Sequence, residues 1–477
     1  MASRSKARQL HVADAVHRAW ESAVQQRRAF EMGLLIGQSG LLSADDAVFA
    51  AVRVPSESET DDVTGFDDLS SDWVQEVARQ VDRLLPGGVE LLGLYVLSPG
   101  DAKAVMDQAA AYLRVLAQAI ALPSEFHFDG NSLDDVRCVV HVCPRSGKRS
   151  ARAFLNLLDA PRTTSTTMEL RYPGEIATRK VTTRVAVDET IAWTRLASNA
   201  SSLSSDEVAE LVAQRLDEAR HQVLPLVERI WNAHGVPCST HEDSEASVMA
   251  MDLLTSGTIP VQDERRARAL SASRLPGRLC GVLHCVALTQ NSASDALAAL
   301  YLKRDFVKSL LLRLELLVER ASEDDSDLHD LTALTDGGVL PLPRRALLPW
   351  PHDASATSSS ARLALSLHVV SDELHSALQT AMELLGVEDS DASDRANPQM
   401  ESVEWLESAS ESETPGSDSR GRTMTTTAAA SSAASAAAPN MQQQHGSVSN
   451  GSSTTLLFVL VPVLLLIIAL LLQDLLA

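Results

Sequence analysis

Three groups of cysteine, histidine and acidic residues are the parts of this sequence where chemistry could occur. Two are short runs, Cys138-Val139-Val140-His141-Val142-Cys143 and Cys280-Gly281-Val282-Leu283-His284-Cys285. The third is a loop group made of His234, Cys238, His241, Glu242 and Asp243. Thiolates and imidazoles bind zinc, and a thiol activated by a histidine is a nucleophile. Zinc binding and thiol catalysis are therefore the two chemistries to test.

The two short runs are apolar and rich in β-branched residues, which predicts strands. Structural zinc pairs usually sit on tight turns instead. Because side chains alternate between the two faces of a strand, Cys138 and Cys143 would point in opposite directions. We predict small buried thiols here, with His141 and His284 as hydrogen-bonded strand histidines and not as metal ligands.

The loop group crowds its reactive residues into ten positions of chain. A thiol protease instead raises its cysteine on the start of a helix and takes its histidine and aspartate from distant positions. No helix is predicted to begin at Cys238. A hydrolase site around Cys238 and adventitious metal binding are thus alternatives to a plain surface loop. No glycine-rich phosphate loop of the Walker or Rossmann type occurs, because Leu85-Pro86-Gly87-Gly88 is a helix stop.

Composition narrows the class of partner. The chain has 477 residues, 45% of them hydrophobic, which is enough for a large core and for two or three domains. It carries 63 acidic and 41 basic side chains, a net charge of −22. Nucleic-acid binding needs clustered lysine and arginine, so we predict no nucleic-acid partner. Five cysteines and no apolar signal after residues 1–10 predict reduced thiols facing the cytosol.

Residues 84–99 organise the N-terminal part of the chain. Trp73, Val77, Val81 and Leu84 recur at helical spacing, and Pro86-Gly87-Gly88 ends that helix. Residues 89–97 are then a near-continuous apolar run, which predicts a strand covered on both faces. The flanking pattern predicts a helix at 12–24, strands at 29–37 and 47–54, and a helix at 101–121.

This order of elements, with the run Phe30-Glu31-Met32-Gly33-Leu34-Leu35-Ile36-Gly37-Gln38, resembles the MPN domain of zinc-dependent deubiquitinases. Active members carry a glutamate three residues before a Gly-Leu-Leu-x-Gly strand, two zinc histidines at a later strand end, and a Ser-x-x-Asp motif. Laid on this chain, those positions are Phe30, Val96, Ser98, Met106 and Ala109. Glu31 does not replace the missing acid, because a shift of one residue turns a strand side chain to the other face. The resemblance implies the scaffold without zinc and without catalysis.

A closer resemblance covers residues 8–390 and the C-terminal tail, with a poor match at 160–275. It rests on the glycines Gly33 and Gly37 before Gln38, on Pro86, Gly87 and Gly88, on Gly93, on Lys303-Arg304-Asp305, and on Val339-Leu340-Pro341-Leu342-Pro343. The chain is similar to the odorant-response-abnormal protein four family, tail-anchored proteins with a catalytically dead MPN-like domain.

That resemblance implies a function. The protein would be a non-enzymatic adaptor, without a cofactor, that recruits a cysteine protease specific for the ubiquitin-fold modifier to the endoplasmic reticulum. A heterodimer of two MPN-like domains would be the mode of binding. The resemblance also implies a role in moving G-protein-coupled odorant receptors out of that membrane. A hydrolase of ubiquitin-like conjugates and a purely structural tether are the alternatives.

A single apolar run closes the chain. It extends from Leu456 to Leu472, contains Pro462 and Leu465, and is 17 residues long. At about 1.5 Å per residue a helix here would span roughly 25 Å, near the short limit for a bilayer. We predict a tail anchor in a thin membrane such as that of the endoplasmic reticulum, with the N-terminal region in the cytosol. A buried core helix is the alternative.

The whole chain is therefore predicted to be of the α/β class in four parts. These are an MPN-like domain at 1–125, a mixed sheet-and-helix region at 126–386 with an insertion loop near 234–272, a disordered linker at 387–455, and the anchor at 456–472. In the second part we predict strands at 136–143, 151–158, 178–193, 279–288 and 363–369, helices at 205–231, 294–321 and 371–385, and a proline-punctuated edge segment at 339–351.

One helix of that second part has an unusually wide apolar face. Leu310 and Leu317 flank the main stripe of the helix predicted at 294–321. An apolar remainder exposed to solvent would be a docking patch for a partner. The alternative is that both sides of the helix are buried within this chain.

Overall fold

A computed structural model gives the fold of a first compact unit, residues 1–414, and a second unit comprises residues 415–477. The described residues are 8–40, 45–57, 63–120, 137–159, 162–174, 176–194, 205–232, 236–237, 248–252, 274–323, 339–350, 363–369, 374–387 and 399–400. The predicted anchor at 456–472, with Leu456, Pro462, Leu465 and Leu472, lies outside them. Within the described ranges, no helix combines the length and the apolarity that a bilayer crossing requires.

Seven strands form a closed barrel in the order β1-β3-β2-β4-β5-β6-β7, which β1 closes by pairing in parallel with β7. The strands are β1 Gln9–Val12, β2 Glu31–Gln38, β3 Asp45–Arg53, β4 Glu90–Leu97, β5 Arg137–Val142, β6 Arg149–Leu155 and β7 Thr164–Arg171. Full closure leaves no exposed strand edge, so every strand of this sheet has two hydrogen-bonded neighbours.

Three helices cover the barrel strands. They are α1 Asp14–Gln25, α2 Ser71–Arg83 and α3 Ala102–Ala119. The Ser70 hydroxyl caps α2 by accepting from the Trp73 N–H at 3.1 Å, as residues of this type do at helix starts. One face of the sheet packs against α1, and the opposite face packs against α2 and α3.

The central strand β4 is buried on both faces, as its apolar run predicts. Leu91, Leu94 and Val96 belong to the core under α2 and α3, while Leu92 and Tyr95 belong to the core under α1. The alternation slips at Gly93, where the register against β2 shifts. Gly93 has φ +153° and a Cβ there would lie 1.8 Å from the Cys138 carbonyl oxygen, so only glycine fits.

A second sheet of five strands has the order β12-β11-β8-β10-β9. Its members are β8 Thr178–Thr194, β9 Val236–Pro237, β10 Val248–Asp252, β11 Arg274–Gln290 and β12 Val339–Pro341. The long strands β8 and β11 pair antiparallel along their entire length. Helices α4 Ser205–Asn232 and α5 Asp295–Glu323 pack on this sheet and share a separate hydrophobic core with it.

A third sheet, β14-β13-β15, joins its core to that of the barrel. Its strands are β13 Arg344–Pro349, β14 Ala364–Val369 and β15 Gln399–Met400, and helix α6 Leu374–Leu384 packs beside β14. Gly386 follows α6 with φ +71°, the left-handed conformation that ends many helices.

The mixed α/β class is confirmed, but the predicted boundary at residue 125 is wrong. It falls between β4 and β5, which are adjacent parallel strands of one barrel. The barrel continues to Arg171, and its closing strands β1 and β7 were not predicted. Six of the eight β7 residues are exposed, so the strand lacks the apolar signal that marks buried strands.

Three other predictions need local correction. The expected insertion loop at 234–272 contains β9 and β10, and β10 pairs in parallel with β8. The expected edge segment at 339–351 divides in two, because β12 is an edge strand whereas β13 is central in its sheet. The expected disordered linker at 387–455 contains β15, which pairs with β13.

Candidate functional site

The positions that resemble a deubiquitinase site meet at one rim of the barrel. Strands β2 and β4 are antiparallel with Glu31 opposite Leu97 and Met32 opposite Val96. That register places Phe30 and Ser98, the residues just beyond the paired ends, next to each other. Met106 and Ala109 lie on the first turns of α3, on the side that is buried in the same core.

This rim is filled by aromatic and aliphatic side chains. The Phe30 ring lies 5.2 Å from the Phe66 ring in an edge-on arrangement, and Phe66 stacks on Tyr112 at 5.7 Å. The Tyr112 hydroxyl is fixed by donating to the carbonyl oxygens of Phe66 and Leu69. Met106 and Ala109 are 2% and 0% exposed. Phe30, Val96, Met106 and Ala109 therefore offer no imidazole, thiolate or carboxylate ligand of the kind that zinc binds.

Ser98 is the only polar residue among the five positions, and its polar atoms are already used. Its Oγ accepts from the Gly100 N–H at 3.2 Å, and its carbonyl oxygen lies 2.9 Å from His141 Nε2. Across the described ranges, no three histidine, cysteine or acidic side chains come together as a metal would need.

Glu31 lies on the other face of β2, as strand alternation predicts. Its carboxylate accepts from the Tyr95 hydroxyl at 2.8 Å and pairs with Arg28. Burial, together with the negative charge of Glu31, raises the pKa of Tyr95 well above its usual range. Glu31 is thus a structural partner of a buried tyrosine, on the α1 side of the barrel, away from Phe30.

The first thiol run does not form a cluster. Cys138 is buried in the barrel core, where desolvation raises its pKa to about 12. Cys143 lies in the turn after β5, and a hydrogen bond with Ser146 lowers its pKa. His141 is buried and bonded to Ser98, as expected for a satisfied strand histidine.

For the second run, Cys285 is buried in the core under α4 and α5. The His284 carbonyl oxygen accepts from Arg345. The side chain of Cys280 lies outside the described residues, as do His234, Cys238, His241, Glu242 and Asp243.

Three of the sequence motifs, those with Gln38, with Pro86-Gly87-Gly88 and with Lys303-Arg304-Asp305, meet at one buried polar site, the motif junction, which no single motif predicted. Its centre is Asp305 on α5. One carboxylate oxygen accepts from the Gly87 N–H and the other from the Val286 N–H, both at 2.8 Å. Arg345 on β13 clamps the same two oxygens, with N–O distances of 2.5 and 2.9 Å. Both side chains of this ion pair are 2% exposed.

Gln38 connects the first motif to the same site. Its Nε2 donates to the carbonyl oxygens of Gly88 and Leu288, and its Oε1 accepts from the Gln290 N–H. The side-chain amide therefore uses its donor and its acceptor to join β2 to β11.

Glycine at 87 and 88 permits this close approach. A Cβ on Gly87 would lie 2.5 Å from the Tyr301 carbonyl oxygen, and one on Gly88 would lie 2.2 Å from that of Leu288. Gly88 also has φ +74°. The turn Pro86-Gly87-Gly88 after α2 therefore lies in close contact with both β11 and α5.

The proline-rich motif positions Arg345. Pro341 ends β12, Arg344 begins β13, and the Pro343 carbonyl oxygen accepts from Arg313. Arg345 Nε donates to Ser366 Oγ at 2.6 Å, so the guanidinium nitrogen that Asp305 does not use is also fixed. For Asp305 and Arg345 themselves the sequence signal was weak, since one is an acidic residue inside a helix and the other an arginine two positions after Pro343.

The predicted docking patch is wrong at Leu310. Leu310 is completely buried in the core with α4 and β11, and Leu317 is half-buried against the same cluster. Helix α5 contacts α4, β11 and β14, so it needs a wide apolar face for contacts within this chain. The alternative, burial on both sides, describes this helix.

Comparison with known proteins now identifies the family. A family model described as "ODR4-like: Odorant response abnormal 4-like" matches residues 33–393. The chain belongs to this family. The match begins at Gly33, in the first motif, and includes every residue of the motif junction.

Individual relatives agree with the family model. The chain is 26% identical to "Protein odr-4 homolog" of Xenopus tropicalis and 24% identical to that of Xenopus laevis; each match covers 72% of this chain and 77% of the relative. A protein of the same name from Mus musculus is 31% identical over 136 residues, 27% of this chain and 30% of the relative.

Among solved structures, "Crystal structure of UfSP from C.elegans" aligns with 80% of this odorant response abnormal 4-like chain and 56% of its own. The identity is 9% and the TM-score 0.35, so this likeness carries no argument. The family assignment rests on the sequence matches alone.

Proposed function

We propose that this protein is a non-catalytic membrane adaptor that recruits a cysteine protease specific for the ubiquitin-fold modifier to the endoplasmic reticulum. Membership of the odorant response abnormal 4-like family supports the role. The single structural observation that carries the non-catalytic part is the filled rim. Phe30, Val96, Met106 and Ala109 are buried apolar residues where an MPN-type hydrolase needs an acid and metal ligands.

The membrane part of the proposal rests on the sequence. Residues 456–472 are uninterrupted apolar residues that follow a tract rich in serine, threonine and alanine. A helix formed by these residues would be apolar on all sides, as a membrane-spanning helix is, and residues 1–455 would then face the cytosol. The protease would then bind through a heterodimer of two MPN-like domains, with the barrel as this chain's contribution.

Co-purification from membranes tests the proposal. The full-length chain, expressed with the protease, should bring it into a membrane fraction that resists carbonate extraction. A chain that ends at Thr455 should still bind the protease but leave it in the soluble fraction.

Leu465→Arg should weaken insertion by about 2.5–3.5 kcal/mol, whereas Leu465→Val serves as the apolar control. If the chain ending at Thr455 stays in the membrane, residues 456–472 are not the anchor. If the protease does not co-purify with the wild-type chain, the adaptor function is wrong.

A direct activity assay distinguishes the hydrolase alternative from the non-catalytic adaptor. The purified full-length chain should leave ubiquitin-fold-modifier conjugates intact, and elemental analysis should find well under one zinc per chain. Conjugate cleavage that disappears in Cys238→Ala would support the alternative.

If the chain binds the membrane but neither binds the protease nor cleaves conjugates, it is a structural tether. A receptor role would appear as reduced surface delivery of an odorant-type receptor when the chain is removed.

A further inference from the structure

A cleft of about 110 Å³ lies beside the motif junction. One wall is the turn Pro86-Gly87-Gly88 with Glu90 after it, and the facing wall is the side of α5 that carries Tyr301, Arg304 and Lys308. Liquid water occupies about 30 Å³ per molecule, so the cleft has room for a group of several heavy atoms.

Arg304 is the one member of the Lys303-Arg304-Asp305 motif that the fold does not use. The Lys303 ammonium donates to the Trp231 carbonyl oxygen at 2.5 Å, and Asp305 centres the motif junction. Arg304 is half-buried in the wall of the cleft, and it makes no hydrogen bond or ion pair with any residue in the described ranges. Its guanidinium is therefore available to a ligand.

Two of the carboxylates that line the cleft are already neutralised. Asp305 is held by Arg345, and Asp82 Oδ2 lies 2.9 Å from Lys308 Nζ. The Lys308 ammonium donates to the Asp82 carbonyl oxygen as well. Neither pair contributes a net charge to the cleft.

Three other charged residues line the cleft, namely Glu90, Arg137 and Arg304. Glu90 accepts from the Ser39 N–H and Arg137 is 1% exposed with partners of its own, so the fold holds both. Partial burial of Arg304 strengthens its attraction for an anion, because less water screens the charge.

We propose that this cleft binds one oxyanion group, a carboxylate or a phosphate, on the guanidinium of Arg304. A planar guanidinium can donate two parallel N–H bonds to such a group, which an ammonium cannot do. The group could come from free phosphate or from an acidic peptide side chain. The proposal does not depend on the adaptor function, since neither the protease nor the membrane enters it.

Calorimetric titration of the full-length chain tests the proposal, with inorganic phosphate and a six-residue glutamate peptide as probes. At least one probe should bind saturably. Arg304→Gln should weaken that binding by about tenfold or more, the loss expected for a charge-assisted bond. Asp82→Asn should tighten it, because Lys308 loses its partner carboxylate and its positive charge is then no longer neutralised beside the cleft. Arg79→Gln is the matched control, since Arg79 is exposed on α2 and outside the cleft.

The outcomes are decisive in both directions. Tighter binding of the peptide identifies an acidic segment as the source, and binding of phosphate alone identifies a small anion. Arg304→Lys, which keeps the charge without the planar fork, should fall between wild type and Arg304→Gln. The melting temperature of each variant checks folding. Failure of both probes to saturate, or equal binding by Arg304→Gln and wild type, overturns the proposal.

Discussion

Asp305 and Arg345 form a two-bond ion pair in the interior of the protein, with both side chains 2% exposed. Asp305 lies on α5 and Arg345 on β13, forty positions apart in the chain. The same carboxylate accepts the N–H groups of Gly87 and Val286. One aspartate therefore joins the barrel, the second sheet and the third sheet.

Removal of one partner of this pair should be costly. Arg345→Gln leaves the Asp305 carboxylate buried without its counter-charge, and we expect the free energy of unfolding to fall by about 3–5 kcal/mol. The exposed pair Arg83–Glu315, with an N–O distance of 2.6 Å, provides the control. Arg83→Gln should cost about 0–1 kcal/mol. Urea denaturation of both variants measures the difference, and equal losses would contradict this account of the junction.

Gly88 should not tolerate a side chain. Gly88→Ala meets two penalties, a left-handed backbone at φ +74° and a Cβ 2.2 Å from the Leu288 carbonyl oxygen. The backbone term alone is about 1–2 kcal/mol, and the clash adds to it. Gly65→Ala is the control, because Gly65 is extended and nothing lies within 4 Å of the added Cβ. A melting temperature of Gly88→Ala equal to that of Gly65→Ala would refute the tight contact.

The two thiols of the first run should react at different rates. Ser146 lowers the pKa of Cys143, so more of that thiol is ionised at pH 7.5, whereas burial raises the pKa of Cys138 to about 12. Iodoacetamide should label Cys143 and spare Cys138, because the thiolate is the nucleophile. Ser146→Ala should slow labelling of Cys143. Peptide mass spectrometry reads both sites, with the denatured chain as control, and early labelling of Cys138 in the native chain would contradict its burial.

His368 should make the fold less stable in acid. Its Nε2 lies 2.8 Å from Ser309 Oγ, and burial with the charges of Arg313, Arg345 and Lys308 holds its pKa well below its usual range. Below a pH of about 6.5 the unfolded chain binds a proton that the folded chain does not, so stability falls by up to about 1.4 kcal/mol per pH unit.

His368→Gln should flatten that part of the pH dependence. Urea midpoints of both proteins between pH 5.5 and 7.5 measure it, and the gap between them should be largest at the upper end. A slope for His368→Gln identical to that of wild type would show that His368 does not contribute.

Leu310 should behave as a core residue. Leu310→Ala removes a completely buried side chain and should cost about 2–5 kcal/mol of unfolding free energy. Leu158→Ala, at a position 49% exposed, should cost far less. If Leu310→Ala keeps the stability of wild type but no longer binds a partner, Leu310 belongs to a docking surface and not to the core.

The sequence by itself determined the elements whose signal is local. The end of α2 at Pro86-Gly87-Gly88 and the doubly buried strand β4 follow from residue type and spacing within one element. Alternation along β2 also separated Phe30 from Glu31 correctly, because the side-chain period of a strand is two residues.

Only the tertiary structure decided which distant groups meet. Gln38 bonds to Leu288, 250 positions away, and β1 closes the barrel by pairing with β7. The sequence around Asp305 shows a charged residue within a helix, which is equally compatible with a solvent-exposed position. Burial of that carboxylate is stable only because Gly87, Val286 and Arg345 supply its four hydrogen bonds at once. Those donors come from three separate segments of chain, so no local pattern of side chains encodes their meeting.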